Sequence, residues 1–201
     1  MRKIIAGLFI SLDGVVDEPG DWHFPYFNDE MGRAVDATIV TADTLLLGRK
    51  TYDSFAGAWP ERELEGGEDA DFAKRLGDAR KIVASRQQLE FSWRNSELLQ
   101  GDLVEFVTAL KSESGGDISM SGSVSIVRQL LEAGLIDELH LLVHPIAVRK
   151  GMRLFEDGKT IPLKLLRSET FETGVLNLVY APEVAPPTGT YEEAKQQLPN
   201  V

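Results

Sequence analysis

The chain has 201 residues, of which 43% are hydrophobic and 26% are charged, and this balance excludes disorder along its whole length. Its net charge of −11 argues against nucleic acid as a main partner, because an acidic surface repels phosphate backbones. The absence of cysteine excludes disulfides and thiolate metal sites. No apolar run approaches the ~20 residues of a membrane-spanning helix, and residues 1–10 read as a strand rather than a signal peptide. We therefore expect a cytoplasmic protein that binds neither nucleic acid nor membrane.

Short apolar runs and helical periodicities alternate along the first two thirds of the chain. The runs at residues 3–10, 44–47, 81–85 and 118–121 are typical of strands that are covered on both faces. Apolar residues with helical spacing lie between them, and those segments are Met31 to Ile39, 103–110 and 124–133. Strands that alternate with helices predict an α/β fold with a mainly parallel central sheet and helices on both faces.

The last third of the sequence predicts a different arrangement. Residues 138–146, 163–171 and 175–181 are strand-like, and the tight turn between the last two predicts a C-terminal antiparallel hairpin. We expect one domain over residues 1–181 and a loose tail over residues 182–201, with a short helix near residues 191–197. The acidic run at residues 61–71 predicts a solvated loop that leads into a helix.

Three strand ends carry groups that suit phosphate, and ligands of open α/β sheets bind at the carboxyl ends of strands. The first end is a glycine that is followed by two cations and a threonine at the predicted start of a helix. At the second, a serine precedes an arginine that could accept a ribose 2′-phosphate, which favours NADP over NAD. At the third, small residues at a helix start would let a pyrophosphate approach the backbone. Each end alone could be an ordinary turn or helix start, but together they predict a cofactor site. Its residues are Gly48, Arg49, Lys50, Thr51, Ser85, Arg86, Ser121, Gly122, Ser123 and Val124.

A fourth strand end carries an acid instead of donors. Asp13, two residues after Ser11, could orient or protonate a substrate, although Asp-Gly is equally common as a simple turn. Trp22 lies in an aromatic loop that could cap a flat ring or could anchor the loop itself. We take Asp13 as the candidate catalytic residue, and Ser11 and Trp22 as candidate substrate-binding residues.

No metal site is predicted. His140 and His144 have the spacing of a chelating pair on a helix, but in a strand they would lie about 13 Å apart. We interpret them as ordinary strand histidines. Sequence patterns for a zinc protease, a phosphate loop, a Rossmann fingerprint and a nucleophile elbow are all absent.

Taken together, the motifs closely resemble the dihydrofolate-reductase-like family, and within it the stand-alone form of the reductase domain of the bifunctional riboflavin-biosynthesis deaminase-reductase. The resemblance extends from about residue 2 to residue 181. The motifs that carry it are Ser11-Leu12-Asp13-Gly14, residues 42–52, Ser121-Gly122-Ser123, residues 131–139 and His144-Pro145.

This resemblance implies a dihydrofolate-reductase-like three-layer fold, NADPH as hydride donor with phosphate contacts at the three donor-bearing strand ends, and a homodimer. We expect the dimer to use the apolar strand at residues 139–146, near one sheet edge. The sequence departs from the family pattern at two places in the part of the site that would bind the substrate. Val15 and Val16 stand where the family usually has a basic residue, and Met120 stands where it tends to have Glu.

We therefore predict an NADPH-dependent reductase of the 5-amino-6-(5-phosphoribosylamino)uracil reductase type, which transfers a hydride to a small heterocyclic or carbonyl substrate. One alternative is a module that binds NADP without turnover. Another is a true dihydrofolate reductase, which the resemblance implies would need an acid on the first helix. Nothing in the sequence singles out Asp29, Glu30 or Asp36 for that role.

Overall fold

The computed structural model describes residues 1–185 and 188–196. Its strands are β1 (Ile4–Ser11), β2 (Ala42–Gly48), β3 (Arg80–Ala84), β4 (Ser96–Leu98), β5 (Asp117–Ser121), β6 (Glu138–His144), β7 (Leu163–Thr170) and β8 (Leu176–Pro182). Its α-helices are α1 (Asp29–Ala37), α2 (Arg49–Ala56), α3 (Trp59–Glu65), α4 (Ala70–Asp78), α5 (Leu103–Ser112), α6 (Val124–Glu132) and α7 (Tyr191–Lys195). No helix among these residues is long and apolar enough to cross a membrane.

The eight strands form one sheet in the order β4-β3-β2-β5-β1-β6-β8-β7. The pairings from β4 to β6 are parallel, and those of β6 with β8 and of β8 with β7 are antiparallel. The predicted α/β fold, with a mainly parallel sheet and a C-terminal hairpin, is confirmed. The hairpin turns at Gly174, whose φ of 81° favours glycine.

Helices cover both faces of the sheet because the strands alternate apolar side chains between the two sides. On β2, Leu46 packs with α5 and α6 in one core cluster, whereas Leu45 and Leu47 pack with α2 and α4 in another. On the latter face, Met31 of α1 is buried with Leu142 of β6. This alternation places α1 and α6 on opposite faces.

Several local predictions need correction. The acidic run at residues 61–71 is not a loop, since most of it lies in α3 and at the start of α4. The short strand β4 was not predicted, and α1 ends before Ile39. The strand β6 lies between β1 and β8, so it is not near the sheet edge, and the prediction that it offers a dimer surface is wrong. Helix α7 falls within the predicted residues 191–197, of which residue 197 lies outside the described part, as do residues 186–187 and 198–201.

A buried lysine donates hydrogen bonds to backbone carbonyls at the C-terminal end of α4. Lys81 on β3 has no exposed surface, and its Nζ donates to the carbonyls of Leu76, Gly77 and Ala79 at 2.7–2.8 Å. It also lies 4.3 Å from the centroid of the Trp93 ring. Burial lowers the pKa of Lys81 to about 8, so the ammonium remains mostly charged at neutral pH. It thereby supplies donors to carbonyls that a helix end leaves unpaired.

We expect Lys81→Met to lower the free energy of unfolding by about 2 kcal/mol, because the carbonyls of Leu76 and Ala79 would lose their side-chain donor, whereas that of Gly77 would keep Asn95. Urea denaturation measures this loss. Lys74→Met, which removes an exposed ammonium paired with Asp78, is the control and should change the transition little. Equal changes in the two variants would contradict this role of Lys81.

Candidate active site

The carboxyl ends of β1 and β5 lie where the chain reverses its direction across the sheet. From β1 the chain crosses through α1 to β2 on one side, and from β5 it crosses through α6 to β6 on the other. The two crossover helices pack on opposite faces. In open α/β sheets such a switch point leaves a crevice beyond the strand ends, where ligands bind.

Ser123 joins the ends of β2 and β5. Its Oγ accepts a hydrogen bond from the Gly48 amide and lies 2.9 Å from Thr51 Oγ1. A methyl group added to Gly48 would lie 2.7 Å from that oxygen, so only glycine allows the approach. Ser123 itself has a left-handed φ of 64°, and the preceding Gly122 has a φ of 94°. The first and third predicted donor sets therefore form one structure.

The helices that begin at these two strand ends have no side-chain caps. Gly48, which has no side chain, precedes α2, and the Ser123 side chain bonds to no amide of α6. Asn28 caps α1 and Asp102 caps α5, whereas α3 and α4 also begin without a side-chain cap. The amides at the starts of α2 and α6, together with the helix dipoles, favour an anion at this edge.

The second strand end is connected to the first through Gln87. The Gln87 side-chain oxygen accepts a hydrogen bond from the Arg49 guanidinium. The backbone N–H of Gln87 donates to Ser85 Oγ at 3.0 Å. The exposed Lys50 and Arg86 side chains form no hydrogen bond or ion pair with the rest of the described chain. All three predicted donor sets thus lie along one stretch of the sheet edge, with these two cations available to a ligand.

Asp13 is held by the loop that follows β6. Its carboxylate accepts hydrogen bonds from Ser11 Oγ at 2.6 Å, from the Val148 amide at 3.0 Å and from the Arg149 amide at 2.9 Å. The Arg153 guanidinium lies 3.6 Å from the same carboxylate. The Ser11 hydroxyl and the two amides lower the pKa of Asp13. These contacts argue against the predicted proton-donor role, and the catalytic assignment of Asp13 stays a prediction that is now limited to orienting the substrate.

Trp22 belongs to an aromatic cluster at the carboxyl ends of β1 and β6. The ring of His144 stands edge-on to the rings of Phe9, Trp22, His23 and Tyr26, with centroid distances of 5.1–6.1 Å. Trp22 is buried and donates from Nε1 to a backbone carbonyl of its own loop at 3.1 Å. In this arrangement Trp22 anchors the loop, and its predicted contact with substrate stays a prediction.

The two histidines of this cluster are buried with incomplete hydrogen bonding. His144 donates from Nδ1 to the Leu142 carbonyl at 2.8 Å, and its Nε2 has no partner among the described residues. His23 Nδ1 also lacks one there. Burial lowers the pKa of both imidazoles, and the neighbouring His144 lowers that of His23 further.

The substrate half departs from the pattern that the family resemblance implies. Val15 and Met120 have no exposed surface, so neither position offers a charge to a ligand. The acids of α1 are engaged elsewhere or exposed, because Glu30 accepts the Glu172 amide and Asp36 pairs with an arginine of α4. The acids of α1 are therefore not available for the role that a true dihydrofolate reductase would need.

Three residues of this edge, Gln87, His23 and His144, are not among the site residues predicted from the sequence. Gln87 carries no motif, and its role depends on the neighbouring strand. His144 had a usable signal, because it is the last residue of a strand whose carboxyl end faces the ligand edge. Among the described residues no three His, Asp or Glu side chains converge as a metal site would need.

The lowered pKa values of the two buried histidines predict acid sensitivity. Each imidazole binds its proton at a lower pH in the folded chain than in the unfolded chain, where the pKa is 6.5, so the free energy of unfolding should fall as the pH drops below that value. The slope is at most about 1.4 kcal/mol per pH unit for each imidazole. Denaturation between about pH 7 and about pH 5 measures it. His23→Phe should reduce the slope, and an unchanged slope would contradict the assignment.

Asp13→Asn tests the loop contacts. The amide cannot accept from both backbone donors without turning its own NH₂ group toward one of them, so the melting temperature should fall. Affinity for NADPH, the cofactor that the sequence resemblance implies, should be nearly unchanged, because the predicted phosphate donors lie on other strands. Asp21→Asn, at an exposed position of the neighbouring loop, is the control. Loss of NADPH binding together with stability in Asp13→Asn would show that the loop supports the cofactor half as well.

The sequence matches the family model of the RibD C-terminal domain over residues 2–177. Two proteins of Bacillus subtilis (strain 168) are similar along most of their length. The uncharacterized protein YyaP is 32% identical over 89% of this chain and 94% of its own length. The uncharacterized protein YwjB is 24% identical over 78% of this chain and 84% of its own.

Solved structures share the fold. A protein from Shewanella sp. PV-4 named for riboflavin biosynthesis has a TM-score of 0.70 at 21% identity, covering 91% of this chain and 99% of that one. A pyrimidine reductase-like protein from Corynebacterium diphtheriae has a TM-score of 0.64 at 18% identity, covering 92% and 93%. Dihydrofolate reductase from Enterococcus faecalis has a TM-score of 0.58 at 16% identity, covering 90% and 96%.

These structural similarities show a dihydrofolate-reductase-like fold, as the sequence resemblance implied. The family model covers nearly the whole chain, and YyaP exceeds 30% identity over most of it. The chain therefore belongs to the RibD C-terminal domain family.

Proposed function

We propose that this protein is an NADPH-dependent reductase of the riboflavin-biosynthesis type, which reduces a small heterocyclic or carbonyl substrate. The observation that carries the proposal is the pair of uncapped helix starts, α2 and α6, joined through Ser123 at the switch point. Membership in a family that is typically a reductase supports it. So does the Enterococcus faecalis reductase of the same fold, whose structure is a complex with NADP(H).

The donors at this edge fit a dinucleotide phosphate better than a neutral ligand. The free amides at the starts of α2 and α6 would hold the pyrophosphate, since neither helix has a side-chain cap. Arg86 and Lys50 are exposed cations without partners in the described chain, and Arg86 would meet the ribose 2′-phosphate. When bound, NADPH supplies the hydride, and the protein supplies its position and the exclusion of water.

The substrate is expected to differ in its charged groups from that of the riboflavin pathway. Buried valine and methionine stand at Val15, Val16 and Met120, where the family usually offers charged side chains. The aromatic cluster at the ends of β1 and β6 favours a flat ring. A module that binds NADP without turnover is the competing proposal, and substrate-dependent oxidation of NADPH separates the two.

We expect NADPH to bind more tightly than NADH. A charge-assisted contact to the 2′-phosphate contributes ~1.5–3 kcal/mol, so Arg86→Ala should reduce the preference by roughly tenfold to a hundredfold. Calorimetric titration with both cofactors measures it. Arg167→Ala, on the distant edge strand β7, is the matched control and should leave both affinities unchanged. Equal wild-type affinities for the two cofactors would overturn the assignment of Arg86.

We also propose the homodimer that the family resemblance implies, and we place its interface at β7. This edge strand has no further partner strand in the described chain, and a bulge beside Leu166 leaves Leu165 and Leu166 each 50% exposed. Replacing both leucines with lysine should convert a dimer to a monomer in light scattering. Leu64→Lys, at an exposed leucine of α3, should leave the dimer intact. A monomeric wild type would contradict the proposal.

A further inference from the structure

Residues 18–27 cover the carboxyl ends of β1 and β6 and are attached to them by side-chain packing. Every backbone hydrogen bond that the described chain shows for this segment forms within it, such as the one from the Tyr26 amide to the His23 carbonyl at 3.0 Å. The Trp22 indole donates to the carbonyl of the adjacent Asp17. The segment forms two single-turn helical pieces, and such short helices are not stable by themselves in water. Loss of the packing would therefore release the segment and break its internal hydrogen bonds.

Two buried histidines make much of this packing. His23, on the segment, stacks on Phe9 of β1 with ring centroids 4.3 Å apart and an interplanar angle of 14°. The ring of His144, at the end of β6, stands edge-on to that of His23 with centroids 6.1 Å apart. Trp22 and Tyr26 of the segment also stand edge-on to His144. The segment thus closes over one histidine of the sheet and inserts another beside it.

The two imidazoles have no counter-ion. His23 Nδ1 and His144 Nε2 find no hydrogen-bond partner in the described chain. Among the other side chains whose rings meet them from β1 and from the segment, only Tyr26 is titratable. Burial lowers the pKa of both imidazoles, His144 lowers that of His23 further, and no carboxylate acts on either. The backbone carbonyls of Leu142 and Ile10 favour a proton on His144, but they carry no net charge to neutralise it.

We propose that His23 and His144 form a proton-sensitive latch, which keeps residues 18–27 closed over the strand ends while both rings are neutral and releases them when the rings are protonated. Two imidazolium ions in this apolar cluster would repel each other and lack water. Because the described chain shows no hydrogen bond between the segment and the sheet, its release hydrates both rings without disturbing the strand pairing. The ends of β1 and β6, with the turn at Asp13, thereby become accessible in acid. This inference goes beyond the proposed reductase function and does not depend on it.

Proton linkage sets the direction of the effect. In the released form each ring titrates near the ordinary histidine pKa of 6.5, whereas in the closed form its pKa is lower. The ratio of closed to open molecules should therefore be constant above about pH 7 and fall as the pH drops further, by at most about tenfold per pH unit for each ring. Local release lets the rings bind protons before the whole chain unfolds.

Amide hydrogen exchange of the full chain without ligand, followed residue by residue in NMR spectra, measures the release. The amides of Trp22, His23, Tyr26 and Phe27 report on the segment, because each bonds within it. The amides of β1 and β6 report on global unfolding. Protection factors, corrected for the intrinsic exchange rate at each pH, should fall at least about tenfold in the segment between about pH 7 and about pH 5, and less than about threefold in the strands.

Three variants identify the groups that are responsible. His23→Phe keeps an aromatic ring against Phe9, and His144→Asn keeps a donor for the Leu142 carbonyl, so each removes one titrating ring and retains a native contact. The matched control is His140→Gln on β6, which removes the remaining histidine of the chain and keeps a donor for Glu138. Melting curves verify that each variant is folded.

Wild type and His140→Gln should lose the protection of the segment in acid to the same extent. His23→Phe and His144→Asn should each lose less, because one proton fewer is linked to the release. An equal fall in the segment and the strands, an unchanged fall in either His23→Phe or His144→Asn, or a segment that is already unprotected at about pH 7 would overturn the proposal. Titration with NADPH tests the proposed reductase site separately.

Discussion

The contact of Ser123 with Gly48 and Thr51 is the interaction on which the rest of the candidate site depends. It fixes the start of α6 against the start of α2, so that two sets of unpaired amides point to the same edge of the sheet. The contact requires a residue without a side chain at position 48 and a left-handed backbone at Ser123. A left-handed serine is unfavourable by itself, and the two hydrogen bonds of its hydroxyl compensate for it.

The site is divided into two chemically different halves on either side of the switch point. Toward β2 and β3 it is polar, and the exposed side chains of Lys50 and Arg86 form no ion pair with the described chain. Toward β6 it is aromatic, and its charged group Asp13 is already used to hold the loop after β6. This division suits a ligand that has a phosphate-bearing part and a flat reactive part. The flat part would react with a second ligand that is also a ring.

Much of this architecture is accessible from the sequence because the governing signals are local. The apolar runs and helical spacings predict the strands around Leu46 and the helix of Val127, and the turn at Gly174 predicts the hairpin. The donor sets at Gly48 and Ser123 are recognisable because glycine and small residues follow apolar strands. Sheet order is not local, and for that reason the sequence places β6 wrongly near an edge. The role of Gln87 depends on Arg49, which is distant along the chain, so residue type and spacing could not reveal it.

The central claim is that the three strand ends form one binding site for NADP(H). A titration with NADP⁺, followed through assigned backbone amide resonances, tests it most directly. The account predicts saturable shifts that concentrate at residues 48–51, 85–87 and 121–125, with smaller ones near Ser11. Absence of saturation, or shifts that concentrate elsewhere, such as at the open cleft between α1 and α4 lined by Arg33 and Arg75, would contradict it.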